Sequence, residues 1–283
     1  MSKQKRPVPD LGLPLIETHC HLDYLKAAPT EEIIATARAV GVERFVTIAV
    51  EPANFDAVRT LAHSYPEVWG TQGVHPHEAS KFDADADARI VASAADERIV
   101  AVGEIGLDYH YDHSPRAVQR AAFARQLEIA ADSDRPVVIH TREAEDDTRA
   151  ILAEHGPAVR RRGVIHSFTS SPALAEFCLD QGFLLGFNGI VTFNAADNVR
   201  EVVALTPVER LLIETDSPFL TPVPYRGREN APGFIPFVAE KIAAVKAVPI
   251  DALLRQLHTN SIGLFWPGEL AREGASTGER LAS

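Results

Sequence analysis

LIETHCHLD, residues 15–23, runs from an apolar pair into a polar cluster that sets two imidazoles, His19 and His21, two positions apart. In an extended chain alternate side chains share a face, so both histidines look one way and Cys20 the other. That is the geometry of a metal clamp at the end of a strand. A lone His-X-His pair also occurs in solvated loops. Its meaning is therefore decided by whether other strands end in the same way.

Apolar, β-branched runs recur at 15–21, 44–50, 68–74, 99–107, 137–141, 164–168, 184–191 and 211–215, with helical segments between them. Short continuous apolar runs suit strands buried on both faces, as in a parallel sheet covered by helices. The spacing predicts a helix after the first strand, with Thr30 as N-cap and Gly41 beyond its end. It predicts another with Ser114 as N-cap, Pro115 at the first helical position, and Phe123, Leu127 and Ala130 on one stripe. Alternating strands and helices of this number in this length predict an α/β chain folded as a (β/α)8 TIM barrel. No shift of composition divides it, so one domain is expected at 15–265. Residues 1–14 form an N-terminal extension, and the small, polar stretch 266–283 is expected to fray.

The composition sets bounds. A chain of 283 residues, 46% hydrophobic and 24% charged, is ordinary for a globular protein. No apolar run approaches the roughly eighteen residues that span a bilayer, and no secretory leader is evident, so a cytoplasmic protein without membrane contact is expected. The two cysteines, Cys20 and Cys178, are too few for a disulfide framework. With 28 basic against 39 acidic residues, the net charge of −11 excludes a broad basic surface for coating nucleic acid. A polyanion must be handled locally, by metal ions and a few arginines. Nothing in the composition sets the oligomeric state, and a monomer is compatible with it.

Barrel enzymes place their chemistry at the carboxyl ends of the strands. His19 and His21 end the first run, His75 and His77 follow the third, Glu104 lies in the fourth, His140 ends the fifth, His166 lies in the sixth and Asp216 follows the eighth. Six of these eight would make a two-metal site. Each has a plainer reading alone: His140 behind Val137, Val138 and Ile139 could be a hydrogen-bonded core histidine. An unpaired carboxylate within an apolar strand is costly, however, and no lysine lies near Glu104 or Asp216 in sequence, so a metal is the economical partner. Glu17 and Glu214 share strand parity with His19 and Asp216 and are candidate supports for the ligands. His63, His110, His113, His155 and His258 read as solvated or structural, and Arg160 to Arg162 as a solvated loop.

ETHCHLD, GVHPHEA, VGEIGLDYHYD, PVVIHTREA, GVIHSFTSS, GFNGIVTFNAA and LLIETDSPFLTPVPYRGRENAPGF, in this order, resemble the TatD family of metal-dependent deoxyribonucleases, a branch of the amidohydrolase-like TIM barrels. The resemblance runs from about residue 15 to about residue 265. It implies a metallo-dependent hydrolase barrel that cleaves phosphodiester bonds in DNA, often from the 3′ end, with Mg²⁺ or another divalent ion. It implies metal ligation by His19, His21, Glu104, His140, His166 and Asp216. It also implies substrate contacts from His75, Arg142 and, in the PYRGRENAP loop, Arg226 and Asn230.

Paired divalent cations answer both difficulties of phosphodiester hydrolysis, activating water and neutralising charge on the attacking and leaving oxygens. The expected division gives one metal His19, His21 and Asp216 and the other His140 and His166, with Glu104 bridging and Asp216 also able to accept a proton. Imidazole-rich coordination favours Zn²⁺ or Mn²⁺, whereas the resemblance implies Mg²⁺, so the identity stays open among the three. Two alternatives remain: an amidohydrolase-like enzyme acting on a C–N bond or a small phosphate ester, and a non-catalytic binding protein. Tyr109, Tyr111, Phe219 and Tyr225 are candidates for either base stacking or packing.

Overall fold

The computed structural model describes residues 5–270. Eight strands, β1 (Leu15–Cys20), β2 (Val42–Thr47), β3 (Val68–Gln72), β4 (Ile99–Asp108), β5 (Val137–Arg142), β6 (Gly163–Ile165), β7 (Leu184–Phe187) and β8 (Leu211–Ile213), pair in parallel in chain order. The sheet curls until β8 meets β1, where the Asp216 amide donates to the His19 carbonyl at 2.9 Å and the His21 amide to that of Ser217 at 2.8 Å. The (β/α)8 barrel read from the sequence is therefore the fold. Helices α1 (Thr30–Arg38), α2 (Phe55–Ser64), α3 (Ala84–Ser93), α4 (Arg116–Asp132), α5 (Glu145–His155), α6 (Pro172–Asp180), α7 (Asp197–Leu205), α8 (Ile235–Lys246) and α9 (Ile250–Phe265) make the outer layer.

Two apolar layers hold this together. Between sheet and helices lie Phe45, Ile105, Ile139, Leu185 and Ile213 against Phe55, Phe123, Leu127 and Val202. Inside the barrel, Ile16, Val46, Val138, Val164 and Leu212 pack on Phe265 and Trp266, which plug its floor. The tail boundary expected at 266 thus falls in packed chain: Trp266 is 9% exposed and its ring stands edge-on to Trp69 at 4.8 Å. The remainder of that expected tail, 271–283, lies outside the described residues, as do residues 1–4 of the extension. The rest of the extension is tied down, with Arg6 paired to Glu240 at 2.6 Å and accepting the Tyr225 hydroxyl on its carbonyl.

Several strands end earlier than their apolar runs. β6 stops at Ile165 and β8 at Ile213 because Ser167 (φ 47°) and Asp216 (φ 56°) adopt left-handed backbone, which breaks the extended path just where His166 and Asp216 must turn toward the axis. The two expected N-caps also move. Pro29 rather than Thr30 caps α1, its carbonyl taking the Glu32 and Ile33 amides. Pro115 caps α4, because the Ser114 hydroxyl is engaged elsewhere: it accepts the Ser80 amide and donates to the His77 carbonyl, fastening the loop after β3. Phe123, Leu127 and Ala130 form the buried stripe of α4 as expected.

Candidate metal centre

The carboxylate of Glu104 is the hub of the mouth of the barrel. The pairing of β4 with β5 slips by one residue at this position, and the side chain is 3% exposed. One oxygen, Oε1, faces three imidazoles: His166 Nε2 at 2.8 Å, His140 Nδ1 at 3.2 Å and His75 Nε2 at 3.4 Å. The other, Oε2, faces His19 Nε2 at 3.5 Å. Asp216 Oδ1 completes the β1 side, 3.6 Å from His19 Nε2 and 3.4 Å from His21 Nε2. The rings of His19 and His166 stack at 3.8 Å, so the two sides are contiguous. The structure thus brings together all six expected ligand residues, and His75 with them.

His166 and His140 are oriented from behind by carboxylates. His166 Nδ1 meets Glu214 Oε1 at 3.3 Å, and that same oxygen accepts the Ser167 amide. Gly186 makes room for this carboxylate, since a Cβ there would stand 2.7 Å from Glu214 Oε2. His140 Nε2 donates to Asp108 Oδ2 at 3.0 Å, an oxygen shared with His77 Nε2 at the same distance. Gly106 (φ 132°) allows β4 to approach β5 here, where a Cβ would lie 2.0 Å from the His140 carbonyl oxygen. Glu17 Oε1 accepts the amides of His19 and Thr215, tying β1 to the segment after β8. Burial, with Glu214 nearby, pushes the Glu17 carboxyl up to about 8.

His75 differs from the others. Its Nδ1 accepts the His77 amide at 3.1 Å. Burial, only partly offset by Glu104, holds it down to about 4 and therefore neutral. The proton of a neutral ring that accepts at Nδ1 sits on Nε2, which makes His75 a donor toward Glu104 rather than a lone pair toward a cation. His77, metal-competent by sequence, stands outside the cluster on Asp108.

The residues fit a cation. Seven buried side-chain polar atoms among the described residues lack a hydrogen-bond partner, and five of them, Glu17 Oε2, His19 Nδ1, His19 Nε2, His21 Nδ1 and Asp23 Oδ1, belong to the stretch 17–23. Such atoms are costly to bury unless something binds them. Burial opposes ionisation of Glu104, yet His166, His75 and His140 outweigh it and hold the carboxyl well below its usual range. Burial also opposes a charge on His166, but Glu104 and Glu214 overcome it and raise that imidazole well above its usual value. The imidazole nitrogens and carboxylate oxygens of His19, His21 and Glu104 lie close enough together to share one cation, the donor set a divalent metal takes.

The cluster opens into a cavity of about 650 Å³ lined by Tyr24, His75, Tyr111, Arg142 and Phe219 among others. The guanidinium of Arg142 lies 5.0 Å over the Tyr111 ring. The structure does not bring the other two expected substrate residues there. Arg226 stacks on Phe193 at 3.8 Å. Asn230 is 1% exposed, and its amide donates to the carbonyls of Thr215 and Phe219, so it braces the loop after β8. Asp108, which accepts from His140 and His77, was passed over in sequence, although it ends β4 much as other residues singled out end their strands.

No helix among the described residues is long and apolar enough to cross a membrane. The family model for TatD-related DNases matches residues 16–266. An uncharacterized metal-dependent hydrolase of Bacillus subtilis, YabD, is 38% identical over 252 residues, covering 89% of this chain and 98% of the relative. The 3′-5′ ssDNA/RNA exonuclease TatD of Pantoea ananatis is 34% identical over 262 residues, covering 90% and 98%. The crystal structure of the Escherichia coli TatD homologue YjjV superimposes with a TM-score of 0.84 at 31% identity, covering 89% of this chain and 97% of that one. The chain therefore belongs to the TatD-related DNase family of metal-dependent hydrolases.

Proposed function

We propose that this protein hydrolyses phosphodiester bonds in DNA, as a 3′–5′ exonuclease, with two divalent cations at the mouth of the barrel. The observation that carries the reading is the convergence of His19, His21, His140, His166 and Asp216 around Glu104, with both nitrogens of the buried His19 lacking a hydrogen-bond partner. The name of the Pantoea relative supports the substrate class. His19, His21 and Asp216 would hold one cation and His140 and His166 the other, with Glu104 between them. Such cations, Mg²⁺, Mn²⁺ or Zn²⁺, supply an acidified water and positive charge for the attacking and leaving oxygens.

The chain's own groups do the rest. Asp216 faces the cavity and accepts the proton of the attacking water. The Nε2–H of His75, which faces Glu104 at 3.4 Å, turns its hydrogen bond to a non-bridging phosphate oxygen when substrate is bound, and Arg142 offers two parallel N–H donors to the same group. Asp108 and Glu214 keep the His140 and His166 rings turned so that their second nitrogens point at Glu104.

A metal-by-substrate screen tests the reading. Wild type and Glu104→Ala are assayed with each of the three cations on single-stranded DNA, dihydroorotate and a phosphotriester. Metal-dependent cleavage of DNA by the wild type, lost in the variant, is expected. Turnover of dihydroorotate or the triester without cleavage of DNA would replace this reading with an amidohydrolase-like one.

A further inference from the structure

Among the described residues five large hydrophobic side chains are exposed, Val91, Tyr111, Val118, Phe219 and Val223, and the two aromatic ones line the cavity. Tyr111 is already engaged, parallel to the His113 ring and beneath the Arg142 guanidinium. Tyr109 and Tyr225 are engaged too: Tyr109 donates to Asp147 under Arg116, and Tyr225 stacks on Phe234 at 4.6 Å. Phe219 is different. It is 51% exposed and meets His21 edge-on at 5.9 Å. Its backbone is held firmly: its amide donates to the Asp216 carbonyl at 2.9 Å, its carbonyl accepts the Asn230 amide group, and the Asn230 backbone amide donates to Pro218. A fixed loop therefore presents a bare aromatic face to the cavity, three residues beyond Asp216.

The electrostatics show why such a face is needed. The chain is acidic overall, and Arg142 is the single lysine or arginine on the cavity lining among the described residues. Proteins that grip nucleic acid through its phosphates use several such cations. Away from the metal site, a single side-chain cation leaves little to grip the rest of the strand, and base–aromatic stacking is the sequence-tolerant way to add binding free energy. Bases inside a duplex are already stacked on their neighbours and must first be freed.

We propose that Phe219 is the platform on which an unpaired base beside the scissile phosphate stacks, so that the site selects single-stranded ends by their bases rather than by phosphate charge. Tyr111 is a positioning residue that holds Arg142 over the cavity. This rests on the phosphodiesterase reading above.

The test compares Mn²⁺-loaded wild type, Phe219→Ala, Phe219→Trp, Tyr111→Ala and Arg142→Ala. The substrates are a single-stranded thymidine oligomer and an oligomer of the same length with abasic 3′-terminal nucleotides. Phe219→Ala should cut the kcat/KM preference for the base-bearing oligomer by about 5- to 150-fold, the range one stacked base supports, chiefly through KM. Phe219→Trp should restore it. Tyr111→Ala and Arg142→Ala should lower both substrates together and keep their ratio. The wild-type log–log dependence of KM on salt should be shallow, because Arg142 is the single side-chain cation on the cavity lining among the described residues. An unchanged ratio in Phe219→Ala, with the wild type cleaving both oligomers, overturns the stacking role and leaves the phosphodiesterase reading standing. Failure of the wild type to cleave either oligomer with any of the three cations overturns both.

Discussion

The two ends of the barrel treat buried polarity in opposite ways. At the floor, Arg44 packs beside the rings of both Trp69 and Trp266, 5.3 and 4.8 Å from their centroids, and pairs with Glu269 at 2.8 Å. Arg98 covers Trp69 and donates to the carbonyls of Ala62 and Tyr65. The orphan there is the neutral Trp266 Nε1. At the mouth, imidazoles and carboxylates crowd within 3 to 4 Å of one another and leave five buried atoms of the stretch 17–23 unpartnered. A network satisfied from within stabilises the scaffold. One left unsatisfied is organised for something that must arrive, and its cost is borne by the layers beneath it.

The largest expected break falls on the mouth. Glu104→Ala should lower kcat on DNA by a factor of about 10³ or more, because it removes the carboxylate on which both sides of the site converge. The fold should survive, with an unchanged circular dichroism spectrum. Added Mn²⁺ or Zn²⁺ should raise the Tm of the wild type and not that of the variant, since a ligand that binds only the folded state stabilises it. A variant with wild-type activity and metal response would erase the contrast between the two ends.

The floor should answer differently. Trp266→Ala opens a void where two aromatic rings and an arginine pack, and should cost about 3 kcal/mol in chemical denaturation. Its kcat at 25 °C should match that of the wild type. A matching loss of activity would mean that the floor shapes the site and is more than scaffold.

A smaller effect sharpens the view of the mouth. Asp108→Asn keeps the size of the side chain but weakens the acceptor that orients His140 and His77, so metal affinity or activity should fall about 10- to 100-fold. Loss in kcat with little change in Tm is the expected signature, and an equal loss in stability would assign Asp108 to the scaffold.

The smallest effect returns to the floor side. The Asp96 carboxyl is partly buried in the loop before β4, which raises its pKa, but contacts from His63, Arg59 and the Arg98 amide outweigh that and hold it below its usual range. A depressed folded pKa contributes stability that is present above about pH 4 and fades as the pH falls toward the folded value. Asp96→Asn should therefore cost about 1 kcal/mol at neutral pH, with the gap to the wild type closing below about pH 4. A gap that persists in acid would show that shape, not charge, matters there.

The six ligand-type residues were legible because each is a polar side chain within or just beyond an apolar run, and the barrel rule carries strand ends to one face. The supports behind them were less so. That Glu17 and Glu214 brace the site could be suspected from parity, but Asp108 becomes a partner of His140 only because β4 and β5 lie side by side with Asp108 opposite Arg142. Arg226 and Asn230 were misplaced for a related reason. Their loop does border the mouth, yet a cation–π contact and two backbone carbonyls claim their side chains. Arg161 and Arg162, read as solvated, instead donate to the carbonyls of Leu264 and Gln181.

By itself the order of residues determined the alternation of strands and helices, and hence which side chains would gather at one end, because burial on both faces demands continuous apolar runs and parallel strands share a direction. Tertiary structure alone decided which nitrogens of His140 and His166 face Glu104, and that Phe219 is half exposed at the cavity. The ring orientations of His140 and His166 are set by hydrogen bonds to Asp108 and Glu214, remote in the chain, and such contacts leave no local trace in composition or spacing.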